Sequence, residues 1–355
     1  MKKFFKNKTI IVTGHTGFKG SWLTLVLINL GARVIGISNK IPTKPSFFEI
    51  LKLQKKIIDL REDIRDLKKI KNIFKKYKPN YVFHLAAQSL VKKSFKEPFY
   101  TFSTNFIGTL NVLESLRALK NECVSVIITS DKSYKNFEID RGYRETDILG
   151  GEDPYSASKG SAELVIQSYC KSFFKDKKKK IGVARAGNVI GGGDWSEDRL
   201  VPDCIKSWAR NKKVTLRNPT STRPWQHVFE AIFGYLTLAI KLKKNHKLHG
   251  EAFNFGPDNK ENKSVLNVVL EMKKLWQAVS WTIKKVKKAE HESKLLKLNS
   301  NKARVKLNWK NNLNFRESIK MTIDWYKNFY EKKEKNFLFS INQISNFQKK
   351  IKSKL

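Results

Sequence analysis

Three groups of residues in this chain have the types and spacing that chemistry requires. The first is "TGHTGFKG", Thr13 to Gly20, in which Gly14, Gly17 and Gly20 separate an apolar run from a segment with helical spacing. Glycines at such a junction permit a tight turn and let the backbone approach a pyrophosphate, which then rests on the free N–H groups of the helix start. The second is "DPYSASKGSAE", which sets Tyr155 and Lys159 four residues apart, hence on one face of a helix. An ammonium beside a phenol favours the phenolate, so the pair can serve as a general base near neutral pH. The third is "ITSDKSYKN", Ile128 to Asn136, where Asp131 and Lys132 stand side by side directly after Val126, Ile127 and Ile128. Alone, that pair is what any solvated loop carries, and surface ion pairs are worth little. Its company makes it informative.

The elements that must position these residues are legible as periodicities. "TIIVTG", "SWLTLVLINLG" and "ARVIGIS" read as strand, helix and strand: short continuous apolar runs bounded by glycine suit strands buried on both faces, and Trp22, Leu25, Val26 and Leu30 share a helical face. Further strands are predicted at "KIIDL", "YVFHLA", "SVIITS", "IGVARAG" and "EAFNFG", most of them separated by helical stretches. That alternation predicts an α/β fold, a Rossmann-type doubly wound parallel sheet. From Gly191 to Pro224 the pattern turns irregular, and after Pro257 it becomes amphipathic helices and short strands. The expectation is a dinucleotide-binding domain over 1–187 and 228–256, with 188–227 and 257–355 forming a smaller α/β substrate lobe and C-terminal helices. The tail after Glu331 carries Phe339, Ile341, Ile344 and Phe347 at helical spacing and is expected to dock or to fray.

A chain of 355 residues with 40% hydrophobic content can bury a large core as one large domain or two intimate ones. The formal net charge of +39 would ordinarily point to nucleic acid or an anionic membrane. The lysines are instead spread through helices, loops and both termini, as in "KDKKKK" at Lys175 to Lys180, amid abundant Asn, Ile and Phe. The charge therefore reads as compositional drift, and no specific nucleic-acid partner is expected. Cys123, Cys170 and Cys204 are widely spaced without a metal-ligand pattern, which fits a reducing cytoplasm and no metal. "MKKFF" is basic like a signal peptide, but Thr13, Gly14 and His15 interrupt the following apolar stretch, and no run reaches the length of a membrane span. A cytoplasmic protein with no membrane association is expected.

The acidic residue that commonly grips the adenosine ribose would fall at the end of the second strand, where Ser38, Asn39 and Lys40 stand. This leaves open a 2′-phosphorylated cofactor, which Lys40 or Arg33 could meet. "EDIRD" offers Asp63 and Ile64 to an adenine, or a helix-capping aspartate. His84 reads as a packed histidine, and His227 as structural or at the edge of a substrate site.

Over nearly its whole length the chain resembles the extended short-chain dehydrogenase/reductases, and within them the CDP-glucose 4,6-dehydratase family. The residues carrying the match are "VTGHTGFKGSWL", "PTKPSFFE", "HLAAQSLV", "TSDKSYKN", "RAGNVIGGGDW", "RLVPD" and "RPWQHVFE"; the departures are the lysine enrichment and "HVFE" itself. The resemblance implies NAD as cofactor, CDP-glucose as substrate, a homodimer or homotetramer, and a place in the deoxysugar biosynthesis that serves lipopolysaccharide O-antigen. It assigns the cofactor to Gly14, Thr16, Gly17, Phe18, Lys19, Gly20, Asp63, Ile64, Tyr155 and Lys159, with Ala86, Ala87 and Gln88 lining the nicotinamide-ribose side.

In such an enzyme Tyr155 removes the proton of the sugar 4-hydroxyl while the C4 hydride passes to the nicotinamide, and Ser130 bonds the 4-oxygen. The new ketone acidifies C5–H, so that a base at C5 and an acid at the 6-hydroxyl can eliminate water. Other nucleotide-sugar dehydratases carry Asp-Glu at the strand end, whereas this family is similar to the Asp-Lys found here, Asp131 as acid and Lys132 as base. Asn188, Arg199, Arg217 and Arg223 are implied at the substrate's diphosphate and ribose, a task suited to guanidinium forks. The nearest rivals are another nucleotide-sugar 4,6-dehydratase, or a 4-epimerase or reductase of the same fold, for which Asp131 and Lys132 would have no use at C5 and C6. A basic, non-catalytic binding protein would not need Tyr155 and Lys159.

Overall fold

Seven short runs rich in Val, Ile and Phe pair as one parallel sheet in the computed structural model, which describes residues 1–176, 178–257, 263–276, 279–283 and 295–353. The strands are β1 (Thr9–Thr13), β2 (Arg33–Ile37), β3 (Ile58–Leu60), β4 (Tyr81–His84), β5 (Cys123–Ile128), β6 (Lys179–Ala186) and β7 (Ala252–Phe255). They lie in the order β7-β6-β5-β4-β1-β2-β3. Each corresponds to a run predicted from the sequence. Strand order reverses between β1 and β4, and in such sheets the crevice outside the carboxyl ends at that point is where ligands bind. The glycine loop follows β1 and Ala86 follows β4, so both are delivered to that crevice.

Successive strand residues face opposite sides. Val12, Phe83, Val126 and Ala184 therefore enter one core, and Ile11, Val82, Ile127 and Val183 the other. Helices α1 (Phe18–Asn29), α2 (Leu67–Tyr77), α3 (Gly108–Arg117), α4 (Pro154–Ser172) and, further on, α6 (Val228–Lys244) cover these faces. The cap of α2 is Asp66, whose side chain accepts from Lys69 N–H; Asp63, the capping alternative raised by the sequence, is left for another role.

Beyond Ala186 the chain leaves the sheet for α5 (Leu200–Trp208) and two-stranded ribbons that pair Val189–Ile190 with Gln226–His227, Thr222–Arg223 with Lys263–Ser264, and Val214–Leu216 with Trp281–Ile283. Helices α7 (Val265–Lys273), α8 (Phe315–Glu331) and α9 (Asn336–Lys352) complete the lobe. An aromatic seam ties it to the sheet's own helices. Trp22 of α1 lies on Phe47 and donates to Gly192 O at 2.8 Å, and Phe47 meets Trp325 of α8. The tail docks: Ser340 receives the Trp325 indole N–H, and Phe347 packs on Phe229 and Phe233 of α6. Helix α9, which the sequence grouped with the lobe, thus also rests on a helix of the dinucleotide-binding part. Among the described residues no helix is long and apolar enough to cross a membrane.

Candidate active site

The glycine loop is shaped by contact. Gly14 has φ +75°, and a Cβ there would stand 2.6 Å from Ala86 N. A Cβ on Gly20 would lie 2.0 Å from Gly14 O, so the first turn of α1 can close on the loop only without one. Gly17 precedes α1, with no side chain capping the helix. The bare cradle and the uncapped N–H groups of α1 fit the pyrophosphate of a dinucleotide. Thr16 holds the other wall by donating to Lys40 O at 2.7 Å. Phe18 is packed toward the lobe, where a Cβ on Gly191 would come within 3.1 Å of its ring. The Lys19 ammonium is pushed down to about 8, since burial and the Arg199 guanidinium outweigh Asp131 and Asp194.

After β3, Arg65 clamps the Asp63 carboxylate (Nη2–Oδ2 2.8 Å) and Asn39 donates to it at 3.2 Å. Ile64 is buried close against Gly108, and its carbonyl accepts from the Asn111 amide. One expectation is corrected. Arg33 is exposed and pairs opposite Thr9 at the start of β2, about 13 Å of strand away from the ligand end, so it cannot reach a 2′-phosphate. Lys40 is at the right end.

After β4, Ala86 N–H donates to Thr13 Oγ1. The Gln88 amide is occupied within its own loop, donating to Leu90 O and Thr101 Oγ1 at 3.0 Å and accepting from Leu90 N–H at 2.7 Å. Its side chain therefore shapes the wall beyond Ala86 and Ala87 by holding the loop. His84 is buried between Thr13 and Thr109 hydroxyls, and burial followed by the Lys159 charge takes it down to about 3. It is a packed histidine, as its sequence context suggested.

Strand β5 ends at Ile128, and Ser130 then caps one turn of 3₁₀-helix over Asp131–Ser133, accepting from Lys132 N–H at 3.2 Å. Neighbours on a 3₁₀ turn point about 120° apart. Asp131 thus turns inward and is 4% exposed, while Lys132 remains half-buried. Ser130 donates to Asp131 Oδ1 at 2.9 Å, and burial pushes the Asp131 carboxyl up against the opposing pull of Lys132, Ser130 and Lys19. The group is disposed to keep a proton.

Opposite lies the start of α4, where Asp153 caps Ser156 N–H and Pro154 takes the first position, placing Tyr155 in the first turn. Tyr155 is pushed up to about 12, chiefly by burial, against the Ser130 hydroxyl and the Arg199 guanidinium, which favour phenolate. Lys159 is pushed down to about 7 by burial and Lys19, against Glu163. Burial dominates both members of the pair.

Among the lobe residues, Arg199 reaches Asp194 at 3.2 Å and its charge is felt by both Lys19 and Tyr155. Asn188 accepts Gln226 N–H on its carbonyl. Arg217 is turned onto Asp198 at 3.0 Å, a carboxylate it shares with Lys92, and Arg223 donates to Thr222 O. His227 is fully buried and its ring accepts from Phe229 N–H at the start of α6, a structural post.

Several residues of this site escaped the sequence reading. Asn105, in a π-turn at Ser103–Ile107, bridges the Gln88 backbone and Ser158 of α4. Glu163 binds Arg185 and the Thr129 hydroxyl in the dark beneath the strand end. Glu163 stands four residues after Lys159 and Arg185 is an arginine inside an apolar strand run, signals that pointed to buried partners without saying which. Among the described residues no group of three or more His, Cys, Asp and Glu could hold a metal.

The family model for GDP-mannose 4,6 dehydratase matches residues 11–322. The CDP-glucose 4,6-dehydratase of Salmonella typhimurium is 44% identical over 332 residues, 92% of this chain and 92% of that protein. The human dTDP-D-glucose 4,6-dehydratase is 25% identical over 333 residues, 91% of each. Among solved structures, the UDP-glucuronic acid 4-epimerase of Bacillus cereus in complex with UDP-glucuronic acid and NAD is similar with TM-score 0.78 and 26% identity, covering 91% of this chain and 100% of that one.

Proposed function

The chain belongs to the GDP-mannose 4,6-dehydratase family of nucleotide-sugar dehydratases, and from that premise we propose that it converts CDP-D-glucose to CDP-4-keto-6-deoxy-D-glucose. The observation that carries this reading is the turn after β5, where an inward Asp131, its carboxyl pushed up by burial, and a half-buried Lys132 follow Ser130 opposite Tyr155. An epimerase or reductase has no use for that pair, and the relative that is 44% identical acts, by its name, on CDP-glucose.

NAD, when bound, takes up the C4 hydride and gives it back at C6, so the net reaction is redox-neutral loss of water. The residues proposed to hold it are Gly14, Thr16, Gly17, Lys19 and Gly20 of the loop and first turn, with Asp63 and Ile64 at the adenosine side, and the Ala86–Ala87 wall. Tyr155 accepts the proton of the 4-hydroxyl, with Ser130 bonding the 4-oxygen. Lys159, pushed down to about 7 by burial, can exchange its proton near neutral pH, and its charged form favours the phenolate. With a ketone at C4 the C5–H bond is acidic. Lys132 takes that proton, Asp131 gives its own to O6, the C6–O bond breaks and water leaves. Asn188, Arg199, Arg217 and Arg223 bind the diphosphate and ribose, with Arg217 exchanging Asp198 for phosphate oxygens.

Cytoplasmic placement is supported by three buried, free cysteines. A homodimer or homotetramer is supported by Phe95, Phe99 and Leu164, exposed on helical segments that pack beside one another. The test of function is to offer the purified protein CDP-, dTDP-, UDP- and GDP-glucose and follow loss of water by mass spectrometry. In heavy water the CDP product should carry deuterium at C5. Equal or better turnover of dTDP-glucose would overturn the cytidine assignment and leave the dehydratase chemistry standing.

A further inference from the structure

Gly187 follows β6 directly, and its backbone does not call for glycine: it is absent from the positive-φ positions, which include Gly14, Gly31, Gly142, Gly150, Gly193 and Gly250. Space explains it. A Cβ at this position would stand 2.8 Å from Asp131 Oδ2 and 3.3 Å from Pro224 Cγ. The two oxygens of Asp131 differ. Oδ1 receives the Ser130 hydroxyl at 2.9 Å, whereas Oδ2 is buried without any hydrogen-bond partner. A buried carboxylate oxygen that no protein donor meets is costly unless it carries a proton or meets another donor.

We infer that Gly187 is a positioning residue for the dehydration: its bare Cα keeps Oδ2, the oxygen of Asp131 that carries the proton, free beside the slot that receives the departing 6-hydroxyl. This rests on the reading of Asp131 as the acid. In the step it serves, the neutral amine of Lys132 takes the C5 proton, the C5–H electrons form the C5=C6 bond as the C6–O bond breaks, the Oδ2 proton joins O6, and water departs, leaving Asp131 as a carboxylate. Ser130 donates to Oδ1 before substrate engages it, so the oxygen left to carry the proton is Oδ2. A methyl group at 187 would force the carboxylate to rotate or withdraw. Relieving the 2.8 Å contact moves the carboxylate oxygen by about 0.6 Å, and a misplacement approaching 1 Å at a reacting group costs up to about 10²-fold.

The test is rapid-quench mass spectrometry of the Gly187→Ala holoenzyme with CDP-glucose. The 4-keto sugar that still holds its 6-hydroxyl should form at close to the normal rate and accumulate, with loss of water slowed by up to about 10²-fold. Normal turnover, or loss of the first oxidation as well, overturns the inference. Asp131→Asn is run in parallel: if it loses water at the normal rate, the acid reading itself fails, whereas if it stalls and Gly187→Ala does not, only the role of Gly187 fails. Adding Gly187→Ala to Asp131→Asn should slow the reaction no further. Infrared difference spectra of the natural protein against Asp131→Asn supply a readout that does not depend on the alanine variant folding. A protonated carboxyl C=O stretch at neutral pH is expected, and a carboxylate signal alone refutes the assignment of the proton to Oδ2.

Discussion

Glu163 is the residue whose loss the structure prices most directly. Its carboxylate takes Arg185 Nε at 2.8 and 2.9 Å, Arg185 Nη2, and the Thr129 hydroxyl at 2.7 Å, with both charged side chains 1% exposed. Arg185 in turn donates to Tyr134 OH at 2.6 Å, which donates to Asn254 Oδ1 at 2.8 Å, so the pair anchors a path from α4 across β5 and β6 to β7. Glu163→Gln keeps the volume and leaves a buried guanidinium without its counter-charge. Breaking a buried pair in this way costs about 3–5 kcal/mol. At about 1.3 °C per kcal/mol for a chain of this size, the melting temperature should fall by about 4–7 °C. Thermal unfolding followed by far-UV circular dichroism reads the loss. Glu163→Leu with Arg185→Met removes both charges and should recover most of it, because the desolvation cost of each leaves with it. The same carboxylate raises the Lys159 pKa, so in Glu163→Gln the Lys159 titration should move below about 7. A melting point within about 2 °C of the natural protein, or a double variant no better than the single, would refute the reasoning.

Lys132→Met should bind substrate and complete the first oxidation, yet lose water 10²–10⁴-fold more slowly, roughly the loss expected for a general base; Tyr155→Phe should fail at the oxidation itself. Stopped-flow absorbance of reduced nicotinamide separates the two, and normal turnover by Lys132→Met would remove it from the mechanism. Lys159 sits at about 7 against an ordinary 10.5, so between those values the unfolded chain holds a proton that the folded one has released, and this group makes stability rise with pH. Urea unfolding from pH 7 to 9 should therefore show a shallower rise for Lys159→Met, and an unchanged slope would contradict the shift. Burial pushes the Cys123 and Cys170 thiols up to about 12 and raises Cys204 as well, so a thiol reagent should leave the native protein unlabelled at neutral pH and react with every cysteine in urea. Rapid native labelling would show that one of them is accessible.

What the sequence determined by itself was local. The strand runs, the glycine turn, the four-residue step from Tyr155 to Lys159 and the adjacency of Asp131 and Lys132 are set by the backbone's own periods and steric limits, and those act over a few residues. The fold class follows because alternating strands and helices have few ways to bury their apolar faces. Tertiary structure decided which ends and which partners meet. Arg33 and Lys40 lie in and just after one strand run, yet only the latter stands at the ligand end, because every strand in a parallel sheet presents its carboxyl end to the same side. Strand β5 pairs with β6 across more than fifty residues of chain, and that pairing brings Arg185 to Glu163 and sets Gly187 against Asp131. The proton-holding tendency of Asp131 and the depressed ammonium of Lys159 follow from desolvation, which depends on everything packed around a group. No short stretch of chain encodes that environment, so these residues were legible as types and positions while the direction of their shifts was decided only by the core that closed around them.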